Sequence, residues 1–392
     1  MATKDNREIK IEELLTRGVA TVYPTKDSFT KLLTTGPKIS IYYGIDPTGP
    51  SLHLGHVVNL LKLKQFMVLG HRVIILIGDF TATVGDPTGK ISTRQKLEPK
   101  VVARNYKNYK TQIGKILDLK KIKFAYNRQW FVKMKLMEVL DLGSEFTVGQ
   151  MLERDMFQMR LKAGQPIFLN ELIYPIMQGY DSVALNVQAE IGGNDQTFNM
   201  LTGRTMMKRR GKEKYVIALK LLTDSAGQKM GKTEGNMVSL DDSSTTTYGK
   251  IMSWSDDLIS LGYELCTDLS DAQIEKNIKQ GPKMAKMGLA RAIVTLCFSK
   301  AEAVKAEDDF VAKFQKKEMP KNLKVFKAKK DLKFADFLVN HGLVKSKSEF
   351  KRLVESGSIS LNDEKITDIQ SKITSSGTVK IGKKIFIQLE VK

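Results

Sequence analysis

Apolar positions along the 392-residue chain fall in two alternating patterns. Ile39 to Tyr43 is a short apolar run that predicts a strand. Asp46-Pro47 and Gly49-Pro50 follow as turn formers. From Val57 the pattern turns helical, through Leu60, Leu61, Phe66, Met67 and Leu69, with Gly70 as the stop. Arg72 to Gly78 is almost continuously apolar and β-branched, which is how a parallel strand covered on both faces reads. Residues 95–122 predict lysine-rich helix, with Tyr106, Tyr109, Ile113 and Ile116 at core spacing, and Phe124 to Asn127 is extended. A Met- and Leu-rich stretch from Trp130 past Met159 suits irregular core or a subunit interface. A helix over 170–185, a strand-like run over 183–191 and a strand from Tyr215 to Leu222 complete the alternation, and predict a doubly wound α/β domain. Residues 1–38 read as an amphipathic helix followed by loop and short helix, 240–320 as charged helix, and 318–330 as a basic linker. Residues 331–392 begin helical and end in short strands near Thr378 to Ile387.

Charge sharpens this outline. The net formal charge is +20, which suits a polyanionic partner. From Lys313 to Lys392 there are 19 Lys+Arg against 9 Asp+Glu, so half of the excess sits in about a fifth of the chain. A lysine bias spread evenly over the surface would not concentrate in this way. No stretch reaches the ~18 apolar residues that a membrane span needs. The acids Asp5, Glu8, Glu12 and Glu13 argue against a targeting segment. Cys266 and Cys297 match no zinc spacing and read as packed thiols of a reducing cytosol.

Chemistry gathers at the strand ends. His53-Leu54-Gly55-His56 spends two of the four histidines in the turn between the first strand and its helix, where a helix N-terminus favours anions. Read alone, a metal-ligand pair or two solvated histidines would be as good a reading as an anion site. The segment Gly85-Asp86-Pro87-Thr88-Gly89-Lys90 is not a Walker A loop, because only three residues separate its glycines and Ile91 follows the lysine. Gly192-Gly193-Asn194-Asp195-Gln196 and Lys229-Met230-Gly231-Lys232-Thr233 close two further strands. A lone K-x-x-K loop is usually solvated. Placed about 175 residues after the histidine turn, two lysines could meet a triphosphate as charge moves to its leaving group.

Together these motifs resemble the two signatures of class I aminoacyl-tRNA synthetases, with His53-Leu54-Gly55-His56 as the first and Lys229-Met230-Gly231-Lys232-Thr233 as the second. The match is closest to the tyrosine-activating branch of bacterial type. Gly231, Thr233, Asp79-Phe80-Thr81 and Thr197-Phe198 are departures, as of a second bacterial subtype. The resemblance implies that Tyr42 and Asp181 hold the substrate's phenolic hydroxyl. It implies that Tyr174, Gln178 and Asp86 serve the amino group, Asp46 lies beside it, and Gln196 reaches the carboxylate. Thr48, His53, Gly55, His56, Gly193, Asp195, Lys229 and Lys232 would bind ATP, with Lys90, Arg94 and Thr233 joining the catalytic set. Mg²⁺ would travel with ATP and no structural zinc is implied. The carboxylate is itself the nucleophile, so no general base is needed.

The tail resembles an S4-type RNA-binding domain on Lys333 to Leu338, Gly342 to Val344, Ser346 to Leu353 and Gly357 to Asn362, with Lys347, Lys351 and Arg352 as phosphate contacts. The implied division is a Rossmann-like catalytic domain over 1–235, an α-helical domain on the tRNA side over 236–325, and a small α+β S4-like domain over 326–392. L-tyrosine, ATP and tRNA(Tyr) are the implied partners of a cytoplasmic homodimer. A tryptophan-activating relative is disfavoured because an indole offers Tyr42 and Asp181 no hydroxyl. A non-catalytic RNA-binding copy is disfavoured because both signatures keep His53, His56, Lys229 and Lys232.

Overall fold

The computed structural model describes residues 6–88, 96–224, 227, 230, 237–314, 323–362, 364–382 and 385–391. They form two compact units, one running through Glu307 and one beginning at Asp308.

The first unit is built on a six-stranded sheet: β1 (Val19–Tyr23), β2 (Ser40–Ile45), β3 (Arg72–Ile77), β4 (Ile122–Tyr126), β5 (Ala189–Gly193) and β6 (Tyr215–Leu219). The spatial order is β1-β6-β5-β2-β3-β4. β2 to β6 are parallel in register. In β3, Val73 to Ile77 are all buried, as the continuous apolar run predicts. β1 departs from the purely parallel expectation, since it pairs antiparallel with β6 at the sheet edge. The sequence pattern predicts loop and short helix over its five residues. Four of its positions are half-buried or exposed around a single buried Val22, so hydrophobicity marks it weakly. The strand-like reading over 183–191 also shifts: the Leu169–Leu185 helix continues through Leu185 and ends at left-handed Asn186, and the strand starts at Ala189.

The helices Ser244–Met252, Leu258–Cys266 and Pro282–Cys297 belong to this same unit. Arg17, at the end of the N-terminal helix, donates to the carbonyls of Tyr263, Glu264 and Thr267 at 2.8, 3.0 and 3.1 Å. One guanidinium thus satisfies the C-terminal carbonyls of the Leu258–Cys266 helix. Both cysteines are buried and unbridged. Burial pushes the Cys297 thiol up to about 12.

The second unit carries a five-stranded sheet in the order β7-β11-β10-β8-β9. The strands are β7 (Lys324–Ala328), β8 (Ile359–Leu361), β9 (Glu364–Lys365), β10 (Gly377–Ile381) and β11 (Ile385–Val391). The Phe334–Asn340 and Lys347–Glu355 helices share its core through Phe334, Phe337, Leu338 and Phe350. Part of the expected basic linker is therefore a strand, with β7 parallel to β11 and Ala328 buried in the core. Its lysines point outward at an edge, which gave the segment a linker's composition. Among the described residues no helix is long and apolar enough to cross a membrane.

Candidate active site

β2 leads onward to β3 and β4 on one side of the sheet, while β5 and β6 lie on its other side. The strand order reverses between β2 and β5, and a crevice opens there beyond their carboxyl ends. It encloses about 240 Å³ and is lined from Tyr42, Asp46, His53, Asp86, Asp181 and Gln196, among others.

The turn after β2 is held from outside. Asn105 Nδ2 donates to Pro47 O at 2.9 Å, Tyr109 Oη to Gly49 O at 2.7 Å, and Gln112 Nε2 to Pro50 O at 3.2 Å. Tyr109, Ile113 and Ile116 are core residues as expected, and Tyr109 also fixes this turn. The turn delivers His53 as the N-cap of the Leu54–Val68 helix. His53 Nδ1 accepts the Gly55 N–H at 3.1 Å, and His56 Nδ1 accepts the His53 N–H at 3.2 Å. Each ring therefore carries its proton on Nε2, a donor of the kind a phosphate oxygen accepts. A Cβ at Gly55 would lie 2.9 Å from His53 Cε1, so the glycine is required by the folded-back ring. Leu54 N donates to Val238 O at 3.1 Å, which ties this turn to the chain just beyond the second signature.

Tyr42, on β2, and Asp181, on the Leu169–Leu185 helix, both line the same end of the crevice and are buried. Tyr42 Oη lies 3.1 Å from Ser182 Oγ. Burial, then the Glu190 and Asp181 carboxylates, push this hydroxyl far up. Asp181 accepts from Trp130 Nε1 at 2.9 Å and from Asn127 Nδ2 at 3.3 Å. Burial pushes its carboxyl well up, against the pull of those two donors. Asn127 Nδ2 also donates to Thr81 Oγ1 at 2.9 Å, Thr81 to Asp46 Oδ1 at 2.7 Å, and Tyr174 Oη to Asp46 Oδ2 at 2.8 Å. A single polar chain thus links Asp181, Asp46 and Tyr174. Burial and the Asp46 and Asp86 carboxylates raise the Tyr174 hydroxyl.

A second chain runs under the floor. Gln178 Nε2 donates to Glu190 Oε1 at 2.9 Å, and buried Lys214 pairs with Glu190 Oε2 and donates to Met200 O at 3.1 Å. Asn199 Nδ2 donates to Gln178 Oε1 and to Gln196 Oε1, each at 3.0 Å. Gln196 Nε2 donates to Asp86 Oδ2 at 2.7 Å, while Thr88 Oγ1 donates to Asp86 Oδ1 at 2.6 Å and accepts from Arg154.

The crevice collects Tyr42, Asp46, Thr48, His53, Gly55, His56, Asp86, Tyr174, Gln178, Asp181, Gly193, Asp195 and Gln196. Lys90, Arg94, Lys229, Lys232 and Thr233 lie outside the described residues. Their neighbour Met230 lines the crevice and is buried. Lys347, Lys351 and Arg352 sit on the second unit's Lys347–Glu355 helix and are exposed, with Lys347 paired to Asp336 at 2.6 Å. Sequence reasoning missed Thr81, Asn127, Trp130, Ser182, Glu190, Asn199 and Lys214. Asn127 follows β4, so the strand-end rule that found Asp46 could have found it too.

A family model described as class I tRNA synthetases (W and Y) matches residues 34–315. One described as the tyrosine–tRNA ligase SYY-like C-terminal domain matches residues 311–387. The chain is 43% identical to the tyrosine–tRNA ligase of Carboxydothermus hydrogenoformans, over 96% of this chain and 97% of the relative. It is 39% identical to tyrosine–tRNA ligase 2 of Clostridium acetobutylicum, over 97% and 98%. A C-terminally truncated mitochondrial tyrosyl-tRNA synthetase from Aspergillus nidulans matches in structure with a TM-score of 0.66 at 26% identity, covering 78% of this chain and 94% of that one.

Proposed function

The chain belongs to the class I tRNA synthetases of the tryptophan and tyrosine group, and from that premise we propose the residue roles by which its crevice works. The activity is tyrosine–tRNA ligation: tyrosine and ATP give tyrosyl-adenylate and pyrophosphate, and the tyrosyl group passes to tRNA(Tyr). The observation that carries the roles is the meeting of Tyr42 and Asp181 with His53 and His56 in one crevice.

In this reading the substrate hydroxyl lies between Tyr42 and Asp181. Phenylalanine would displace water from those buried groups without offering them a hydroxyl in return, which is costly. Asp86, Tyr174 and Gln178 serve the ammonium, with Asp46 beside it, and Gln196 orients the carboxylate. One carboxylate oxygen attacks the α-phosphorus, a new O–P bond forms, and the bond to the β-phosphate bridge breaks. Thr48 and the Nε2–H donors of His53 and His56 face the phosphates, while Gly193 and Asp195 receive the ribose. Lys90, Arg94, Lys229, Lys232 and Thr233 would meet the departing pyrophosphate, whose negative charge grows in the transition state. Mg²⁺ enters on the phosphates. In the second step a terminal ribose hydroxyl of the tRNA attacks the tyrosyl carbonyl, and AMP leaves. Orientation and fixed charge supply the catalysis.

The basic helix of the second unit is read as a backbone contact for tRNA in the cytoplasm, and the helical region over 236–325 as the tRNA-side domain. Reversing Lys351 and Arg352 to Glu is expected to raise the KM for tRNA about tenfold or more, because phosphate contacts are lost. Tyrosine-dependent ATP–pyrophosphate exchange should not change. Equal loss in both assays would remove the helix from the RNA interface.

A homodimer fits the apolar surface of the middle helices. Leu136, Met137, Leu140, Val148 and Leu169 are between 55% and 73% exposed, unusual company for a monomer surface. The variant Leu136→Glu with Leu169→Glu should sediment as a folded monomer where the parent sediments as a dimer. A parent that is monomeric at micromolar concentration would end this reading.

A further inference from the structure

Under the tyrosine pocket lies an ion pair to which neither signature assigns a role. Glu190 is 2% exposed and Lys214 0% exposed. Glu190 comes from β5, and Lys214 immediately precedes β6, the neighbouring strand. Gly203, on the Thr197–Arg209 helix, makes room for the Lys214 ammonium: a Cβ there would sit 2.5 Å from Lys214 Nζ and 2.9 Å from Ser182 Oγ. Removing two charges from water is expensive unless their geometry repays it. Stability alone would be served as well by apolar residues of similar size.

What the pair does is visible in the direction of the amides above it. The Glu190 carboxylate, paired with Lys214, has only acceptors to offer. It receives Gln178 Nε2 at 2.9 Å, so the Gln178 carbonyl oxygen must face the other way, where it accepts from Asn199 at 3.0 Å. Asp86 imposes the same order on Gln196, whose carbonyl oxygen also accepts from Asn199 at 3.0 Å. Two carboxylates thereby turn two amide oxygens toward the buried Asn199 amide, and each of these oxygens keeps a second lone pair to offer. An ammonium binds to carbonyl oxygen and is repelled by an amide NH₂.

We propose that the Glu190–Lys214 pair is a positioning device that locks Gln178 with its carbonyl oxygen toward the substrate's ammonium. The proposal rests on the reading above that Gln178 serves that group. Glutamine at position 190 would donate as readily as it accepts, so Gln178 could rotate its amide and present NH₂ to the substrate.

The test compares tyrosine with 3-(4-hydroxyphenyl)propionate, which lacks the ammonium, as a competitive inhibitor of tyrosine-dependent exchange. In Glu190→Gln the KM for tyrosine should rise about tenfold, the cost of one misdirected charged hydrogen bond. The KM for ATP, the kcat and the inhibitor's Ki should hold within about twofold. If an unpaired Lys214 prevents folding, the double variant Glu190→Gln with Lys214→Met removes both charges and is expected to show the same selective loss. Gln178→Ala serves as the reference. A selective tyrosine loss in Gln178→Ala but not in the Glu190 variants overturns this inference alone. No selective loss in any of them overturns the assignment of Gln178 and the inference with it.

Discussion

Replacing Asp181 with asparagine should lower kcat/KM for tyrosine by two to three orders of magnitude, while the weak activation of phenylalanine stays unchanged. The carboxylate receives two donors, Trp130 Nε1 on Oδ1 and Asn127 Nδ2 on Oδ2. An asparagine has one acceptor oxygen, so one donor would face an NH₂ group inside a buried site. The site also loses the acceptor for the substrate hydroxyl. The orphaned donor weakens the fold with either substrate and is read by the melt; the lost charge-assisted bond, with the substrate hydroxyl left unsatisfied in a buried site, costs tyrosine alone about 3–4 kcal/mol. Phenylalanine has no hydroxyl to lose, so the ratio of tyrosine to phenylalanine exchange should fall by the same factor. Exchange assays with both amino acids check this, with a thermal melt to show that the variant is folded. A fall shared equally by the two substrates would mean that Asp181 supports the pocket's shape and does not read the hydroxyl.

Replacing His53 with asparagine should reduce the kcat of adenylate formation about 10²-fold, the usual cost of one donor aimed at developing charge. His53 has two separable functions. Its Nδ1 caps the Leu54–Val68 helix by accepting the Gly55 N–H. In the role proposed above, its Nε2–H donates to phosphate. Asparagine is among the best N-caps, so it replaces the first function and discards the second. The melting temperature and the KM for tyrosine should therefore stay close to those of the parent. Pre-steady-state adenylate formation gives the rate directly. A drop in stability with an unchanged rate would confine His53 to capping.

The legible part of this protein was local. Arg72 to Gly78 announced β3 because both faces of that strand are covered and every residue but the first is apolar. The turn from Asp46 to His56 was legible because its Pro, Gly and His occur within a dozen residues and precede a helical period. The tail's charge excess set it apart from the rest of the chain as a basic unit without any contact being known. β1 and β7 were missed because each is five residues long at a sheet edge, where one or no side chain need be apolar and buried in sequence-visible alternation.

Lys214 shows where sequence reading stops. It stands in Lys208-Arg209-Arg210-Gly211-Lys212-Glu213-Lys214, a run that by composition is solvated surface. The tertiary structure buries the last of these lysines completely, because Glu190, 24 positions earlier, waits on the adjacent strand. Trp130 and Asn127 likewise acquire meaning only when β4 brings them to Asp181, more than fifty positions away. The sequence by itself determined the alternating sheet and helices, the histidine turn and the basic tail, because periodicity, turn chemistry and net charge are properties of neighbours in the chain. Which buried charges are paired, and which way each pocket amide points, was decided by how strands, helices and loops pack together, because a charge is tolerated inside a protein only where folding delivers its partner.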